Sequence, residues 1–180
     1  MSDRIALIVV LAEDKRQFTV IRRYLQRDHD PRQIRPNTAP AGAGSAEQYV
    51  RREYAREVRE FRNRAGRSRQ ALVVAIDADT RTVDQRRMEL AQALADGGES
   101  ARRDDEAIAL VVPRRQVETW ILCLNGETVD ETTSYRRRDD IDGKISIAAN
   151  RLFDWSRDNY VLPENCVDSL RRALPELRRV

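Results

Sequence analysis

The length and composition of the chain are those of a single folded domain. Its 180 residues are 41% hydrophobic and 35% charged, which is typical of a globular protein and not of a disordered one. No apolar stretch approaches the ~20 residues that a membrane span requires, and no signal-like segment leads into the first apolar run. We therefore expect a soluble, cytoplasmic protein that does not cross a membrane.

The charged residues are balanced in sign and dominated by arginine. The 33 basic residues nearly match the 30 acidic ones, which leaves a net charge of +3. Only Lys15 and Lys144 are lysines. Arginine side chains match phosphate groups bidentately, but the charges are interspersed along the chain, so a G+C-rich genome explains the arginine content at least as well.

Histidine and cysteine, the residues of zinc sites and histidine-based catalysis, are scarce. His29 is the only histidine and lies in a polar turn, while Cys123 and Cys166 form neither a CxxC nor a Cys/His pattern. This argues against a structural zinc site and against a histidine-based triad.

Apolar runs and helical spacing alternate along the chain, which predicts an α/β fold. Short links between the elements imply a parallel sheet with right-handed crossovers. We predict a Rossmann-like, mostly parallel four-stranded sheet flanked by helices in residues 1–125, with a helical C-terminal extension in residues 126–180 packed on the same domain. The predicted elements, in order, are strand Ile5–Leu11, helix Gln17–Gln26, a weak strand Gln33–Arg35, helix Ala46–Asn63, a strand beginning at Leu72, helix Arg81–Ala95, strand Ala107–Val112, helix Gln116–Leu124, and helices near Gly143–Phe153 and Glu164–Leu177.

Two of the predicted strands end at carboxylates. The first strand is followed by Glu13 and Asp14, and the strand that begins at Leu72 is followed by Asp77 and Asp79. Because open α/β sheets place their active sites at the carboxyl ends of strands, we expect one shared acidic cluster. Hard oxygen ligands of this kind suit Mg²⁺ or Mn²⁺.

A DxD pair alone is weak evidence for a metal site. It also occurs in surface turns, and Asp79 or Thr80 would serve equally well as the N-cap of the helix that begins near Arg81. Two neighbouring strands that both end in acid favour the metal site, because the repulsion between the carboxylates calls for a cation.

A second segment, Pro113–Leu122, follows the fourth strand and so lies at the same edge. Arg114 and Arg115 are candidates to bind a phosphate near a helix N-terminus. Glu118 lies one turn into that helix and points either at the site or at solvent. We expect Trp120 to pack in the core.

The remaining polar segments carry less information. The loop Gly42–Ser45 lacks the lysine of a P-loop and the GxGxxG spacing, so contact with substrate backbone is the more plausible role for it. Ser45 and Gln48 form a capping-box pattern at the start of the following helix. The charged helix Ala46–Asn63 and the run Arg136–Arg138 are either docking surfaces or solvated faces.

The order strand, glutamate, helix, strand, DxD, helix resembles the TOPRIM domain shared by topoisomerases, bacterial primases and OLD-type nucleases. The resemblance implies that Glu13 acts as acid, base or ligand and that Asp77 and Asp79 bind Mg²⁺. The Pro113–Leu122 segment is similar to a stretch found in small stand-alone TOPRIM-like proteins of mobile elements and phage defence. One departure is Asp14, which replaces a glycine that often follows the TOPRIM glutamate and makes the acidic cluster denser.

The leading hypothesis is a metal-dependent TOPRIM-like nuclease that acts on DNA or RNA. Its ligands would be Glu13, Asp77, Asp79 and Glu118, with Glu13, Asp77 and Asp79 as the catalytic residues. The resemblance also implies an ATPase or sensor partner, and the sequence leaves homo-oligomerisation open.

Three alternatives remain at this stage. One is a non-catalytic interaction subunit that keeps the fold as a scaffold. Another is a receiver module with Asp77 as phosphoacceptor, although no lysine follows a fifth strand. A DxD glycosyltransferase is the most remote, because the chain is short and shows no nucleotide-sugar signature.

Overall fold

The chain forms an α/β fold around a parallel sheet. The computed structural model describes residues 5–42 and 44–180, and in these residues the sheet has four strands in the order β2-β1-β3-β4, all parallel. The strands are β1 (Leu7–Ala12), β2 (Ile34–Thr38), β3 (Gln70–Ala75) and β4 (Ile108–Val111). The predicted fold class is confirmed.

Helices connect and follow the strands. A short 3₁₀ helix at Pro31–Gln33 precedes β2. In the described part of the chain, no helix combines the length and the apolar character needed to cross a bilayer. The α-helices are α1 (Lys15–Leu25), α2 (Ala46–Ala65), α3 (Val83–Asp96), α4 (Val117–Leu124), α5 (Ile141–Ser156) and α6 (Asp168–Leu177).

The two faces of the sheet support two hydrophobic clusters. Side chains alternate between the faces of a strand, so Val10 and Val73 belong to one cluster, while Leu11 and Val74 belong to the other. Helices α1, α4, α5 and α6 cover the first face, and helices α2 and α3 cover the second. Because both faces are covered, the strands read as continuous apolar runs.

The C-terminal helices belong to the first hydrophobic cluster. Leu152 of α5 and Leu170 of α6 are fully buried in it. The Trp120 indole N–H donates to Ser169 Oγ at 2.7 Å, which ties α4 to α6. The expected core position of Trp120 is confirmed, since its side chain is almost completely buried.

The β4 edge of the sheet is covered by an ion pair. The Leu110 N–H donates to Glu176 Oε2 at 3.0 Å, and the Ile108 carbonyl accepts from Arg102 Nη1 at 2.7 Å. Arg102 and Glu176 also bind each other, at 2.5 Å. Two backbone groups that a sheet edge usually exposes are therefore satisfied within the chain.

The boundaries around the acidic residues differ from the sequence expectation. Strand β3 ends at Ala75, so Asp77 and Asp79 lie beyond it and do not share the face of a straight strand. Helix α3 takes neither Asp79 nor Thr80 as its N-cap. Thr82 caps it instead, through a reciprocal capping box with Gln85. This leaves the Asp79 carboxylate available for other contacts.

The predicted cap of α2 is present in part. The Ser45 side chain accepts a hydrogen bond from the Gln48 N–H, as the pattern predicts. Ala43, in the glycine-rich loop before it, lies outside the described residues.

Gly97, the C-cap of α3, packs closely against α2. A Cβ built on Gly97 would overlap the Ala55 Cβ of α2. We expect Gly97→Ala to lower the free energy of unfolding by about 1 to 3 kcal/mol, because the overlap forces the two helices apart. Urea denaturation followed by circular dichroism measures this change.

Gly66→Ala is the matched control. Gly66 ends α2 with a similar φ of −75°, and a Cβ there would meet no atom within 4 Å. Its substitution should leave stability unchanged or slightly higher. Equal losses in the two variants would show that helix packing does not decide the effect at Gly97.

Candidate active site at the ends of β1 and β3

The candidate site lies where the connections of the sheet diverge. The chain leaves β1 toward β2 on one side and leaves β3 toward β4 on the other. Such a switch point between neighbouring parallel strands forms a crevice at their carboxyl ends, and α/β proteins bind ligands there. Glu13 follows β1 directly, and Asp77 follows β3.

Glu13 is held between the two strand ends. Its Oε1 accepts the Asp77 N–H at 2.5 Å, and its own N–H donates to Gln17 Oε1 at 3.0 Å. Asp14, the residue that departs from the TOPRIM pattern, is the N-cap of α1 and accepts the Gln17 N–H at 2.9 Å. The extra acid therefore has a structural partner and also adds negative charge.

The Asp77 carboxylate is the most deeply buried acid of the site, with 1% of the residue exposed. Among the described residues, no donor meets its Oδ1 with regular hydrogen-bond geometry, although the Gln17 side chain is close enough to lower the pKa of Asp77. Its Oδ2 lies 3.6 Å from Nη2 of Arg136. Burial raises the pKa of Asp77 well above its ordinary value, and the charges of Glu13, Glu118 and Asp14 raise it further.

Glu118 points into the protein and not at solvent. Every residue of α4 is buried, and Glu118 lies in its first turn. Its Oε1 accepts from Arg16 Nη1 at 2.6 Å, and Arg16 also binds Asp142. The other oxygen, Oε2, is buried and finds no donor in residues 5–42 and 44–180. Of the two directions that the sequence left open for Glu118, the side chain therefore takes the one toward the cavity and away from solvent.

Asp79 lies on a turn, with a left-handed φ of 54°. Its Oδ2 is 4.0 Å from Nη2 of Arg86, a residue with no exposed surface. Arg86 also donates to the Asp77 carbonyl at 3.0 Å and to Glu47 and Glu89 at 2.5 and 2.6 Å. Arg86 thereby links the Asp77–Asp79 turn to the first turn of α2.

The sequence interpretation missed Arg86 and Gln17. Arg86 falls on the apolar stripe of α3 between Val83 and Leu90, and all three residues are buried. Gln17 likewise shares the buried stripe of α1 with Ile21. Both residues could have been found from the sequence, because each is a polar residue on the apolar face of a predicted helix. A polar side chain buried there requires a polar partner.

A cavity of about 670 Å³ opens beside Glu13 and Glu118, and among the described residues Asp77 and Asp79 are not part of its lining. Glu13 and Glu118 line it, together with the basic residues Lys15, Arg16, Arg23 and Arg136. Arg114 and Arg115, the predicted phosphate-binding residues, do not belong to its lining. Arg114 is exposed beyond β4, and Arg115 is half-buried.

Glu13 has the properties of a group that exchanges protons near neutral pH. Burial raises its pKa from 4.5 to about 7, against the effect of the hydrogen bond from the Asp77 N–H, and the nearby Asp79 charge raises it further. A carboxyl with a pKa close to the working pH suits general acid–base catalysis.

The predicted metal ligands are not gathered into a ready-made metal site. Within the described ranges, no three His, Cys, Asp or Glu residues form a group that could hold an ion. The ligand chemistry nevertheless fits a hard cation, because no donor in the described part of the chain meets the buried oxygens Asp77 Oδ1 and Glu118 Oε2 with regular hydrogen-bond geometry. A cation would therefore require the side chains to move together.

Comparison of the chain with models of protein families, with curated proteins and with solved structures finds no match. The assignment of function therefore depends on the geometry of the site itself.

The stability of the fold should decrease as pH rises through the titration of Glu13 and Asp77. Both have a pKa above the ordinary value in the folded state, so the folded chain holds protons that the unfolded chain releases. The free energy of unfolding should therefore fall between about pH 4 and about pH 7. Acids with a lowered pKa, such as Glu176, act in the opposite direction.

Asp77→Asn tests this directly, because it removes the buried charge. We expect a smaller pH-dependent decrease and, above about pH 7, a stability gain of roughly 1 to 3 kcal/mol. Denaturant titrations across the pH range measure both. Asp154→Asn, at an exposed position of α5, should leave the profile unchanged. A full decrease in Asp77→Asn would show that Asp77 carries no buried charge.

Proposed function

We propose that the chain is a TOPRIM-like, metal-dependent nuclease that hydrolyses phosphodiester bonds in DNA or RNA. One observation carries the proposal: at the switch point of the sheet, Asp77 and Glu118 have buried oxygens that no donor of the described residues meets, and Glu118 lines a cavity to which both acidic and basic side chains contribute. Carboxylates that lack donors suit Mg²⁺ or Mn²⁺, and the basic side chains suit the phosphates of a nucleic acid.

The carboxylates take different roles in this proposal. Asp77 and Glu118 supply ligand oxygens, and Asp79 adds a third carboxylate from the adjoining turn. The metal ion would polarise the scissile phosphate and lower the pKa of a bound water. Glu13, with its pKa of about 7, accepts the proton of the attacking water or binds a second ion.

Basic residues on both sides of the site would bind the substrate backbone. Lys15, Arg23 and Arg136 line the cavity itself. Arg114 and Arg115 remain candidates for flanking phosphates, because they follow Pro113, whose carbonyl accepts the Ala78 N–H at 2.8 Å at the same edge of the sheet. We propose the cytoplasm as the setting, in keeping with the location expected from the sequence. The resemblance adds that the chain would be an effector of phage defence or of a mobile element that works with an ATPase or sensor partner.

A non-catalytic scaffold is the second candidate. It is favoured by the ion pairs that already neutralise the acids, since Arg16 binds Glu118 and Arg136 faces Asp77. The receiver alternative has less support: Asp77 is buried, and Lys144 binds Glu127 and Asp140.

Calorimetry of Mn²⁺ and Mg²⁺ binding separates the two candidates. Wild type should bind, and the Asp77→Ala/Asp79→Ala double variant should lose binding, whereas Asp154→Ala/Asp158→Ala, at two exposed acids, should keep it. A parallel titration of the metal in the presence of a phosphorothioate oligonucleotide would also detect a metal site that forms only when substrate is bound.

A cleavage assay on labelled single- and double-stranded DNA and RNA follows. With Mn²⁺ present, Asp77→Asn should lower the rate by roughly 10²-fold or more, because it removes a ligand charge. A folded wild type that binds no metal and cleaves nothing would support the scaffold. A phosphoaspartate formed with acetyl phosphate and Mg²⁺ would instead support the receiver module.

A further inference from the structure

Arg136, in the long connector between α4 and α5, lies against the Asp77 carboxylate. The run Arg136–Arg138 does not act as a single surface. Arg136 faces Asp77 and lines the cavity. Arg138 turns away to bind Glu127 and Asp140 at 2.6 and 2.5 Å, and Arg137 is exposed outside the cavity lining.

The backbone on both sides of Arg136 is anchored. On the N-terminal side, the Ser134 hydroxyl donates to Gln116 Oε1 at 3.0 Å, at the start of α4. On the C-terminal side, the ion pairs of Arg138 bind the connector to its own two ends. These contacts fix where Arg136 enters the site and leave its long side chain free to change partners.

Arg136 and Arg16 both line the cavity and pair with the buried acids Asp77 and Glu118, and they differ in how tightly they are held. Arg16 is 25% exposed at its side chain and binds both Glu118 and Asp142, at 2.6 and 2.9 Å. Arg136 is 54% exposed and has a looser contact of 3.6 Å with Asp77 Oδ2. Arg136 is therefore the arginine that a ligand can displace at low cost.

We propose that Arg136 binds the substrate phosphate next to the carboxylates, and that it exchanges Asp77 for this phosphate when a divalent cation binds Asp77. The inference rests on the proposed function. Before the exchange, the Arg136 guanidinium is the positive group that faces the Asp77 carboxylate. After it, the cation neutralises Asp77, and the released guanidinium meets a phosphate oxygen at the mouth of the cavity.

The test compares Arg136→Gln with Arg137→Gln in two binding measurements. Removing Arg136 takes away a competing positive charge, so the Mn²⁺ dissociation constant should fall roughly three- to tenfold by calorimetry. In saturating Mn²⁺, binding of a phosphorothioate single-stranded oligonucleotide should weaken, and the salt dependence of log K should become shallower by about 0.7, the value for one lost phosphate contact on a single strand. Arg137→Gln should change neither quantity.

The outcomes distinguish this inference from the proposed function. If wild type binds both Mn²⁺ and the oligonucleotide while Arg136→Gln behaves like Arg137→Gln, the exchange is wrong and the nuclease proposal stands. A change in only one of the two quantities also overturns the exchange, because it requires both. If wild type binds neither Mn²⁺ nor the oligonucleotide, the proposed function itself fails. Thermal melting of both variants confirms that they are folded.

Discussion

The hydrogen bond from the Asp77 N–H to the Glu13 carboxylate joins the ends of the two central strands. It brings an acid from β1 against the chain that leaves β3, at the point where the sheet connections diverge. The bond favours ionised Glu13, but burial and the neighbouring acids oppose that charge. The site therefore combines a fixed backbone geometry with a carboxyl group that is easily protonated. The surrounding side chains offset part of the cost of burying its negative charge.

Arginine side chains provide most of the positive charge that compensates the buried carboxylates. The buried Arg86 side chain donates a hydrogen bond to the Asp77 carbonyl in the turn after β3. From the side of the cavity, Arg16 pairs with the Glu118 carboxylate and Arg136 with the Asp77 carboxylate. Each guanidinium offsets negative charge that burial would otherwise make costly. Within residues 5–42 and 44–180, no donor meets Asp77 Oδ1 or Glu118 Oε2, so the compensation of the buried negative charge is incomplete there.

The sequence predicts the parts of this arrangement that follow from topology. Parallel strands end at the same edge, so the proximity of Glu13 and Asp77 follows from two apolar runs that stop at acids. The extent of β3 does not follow, because its apolar run continues through Ile76 after the strand has ended at Ala75. The partners Arg86 and Arg136 are set by packing between distant segments, and no local pattern identifies Arg136 among the other arginines of its connector.

The ion pair of Arg102 and Glu176 has a consequence for how this protein can assemble. By occupying the Leu110 N–H and the Ile108 carbonyl, it opposes the addition of a strand from another chain at the β4 edge. At the opposite edge, the exposed Pro36 of β2 has no N–H to offer. Growth of the sheet across molecules is thus opposed at both edges.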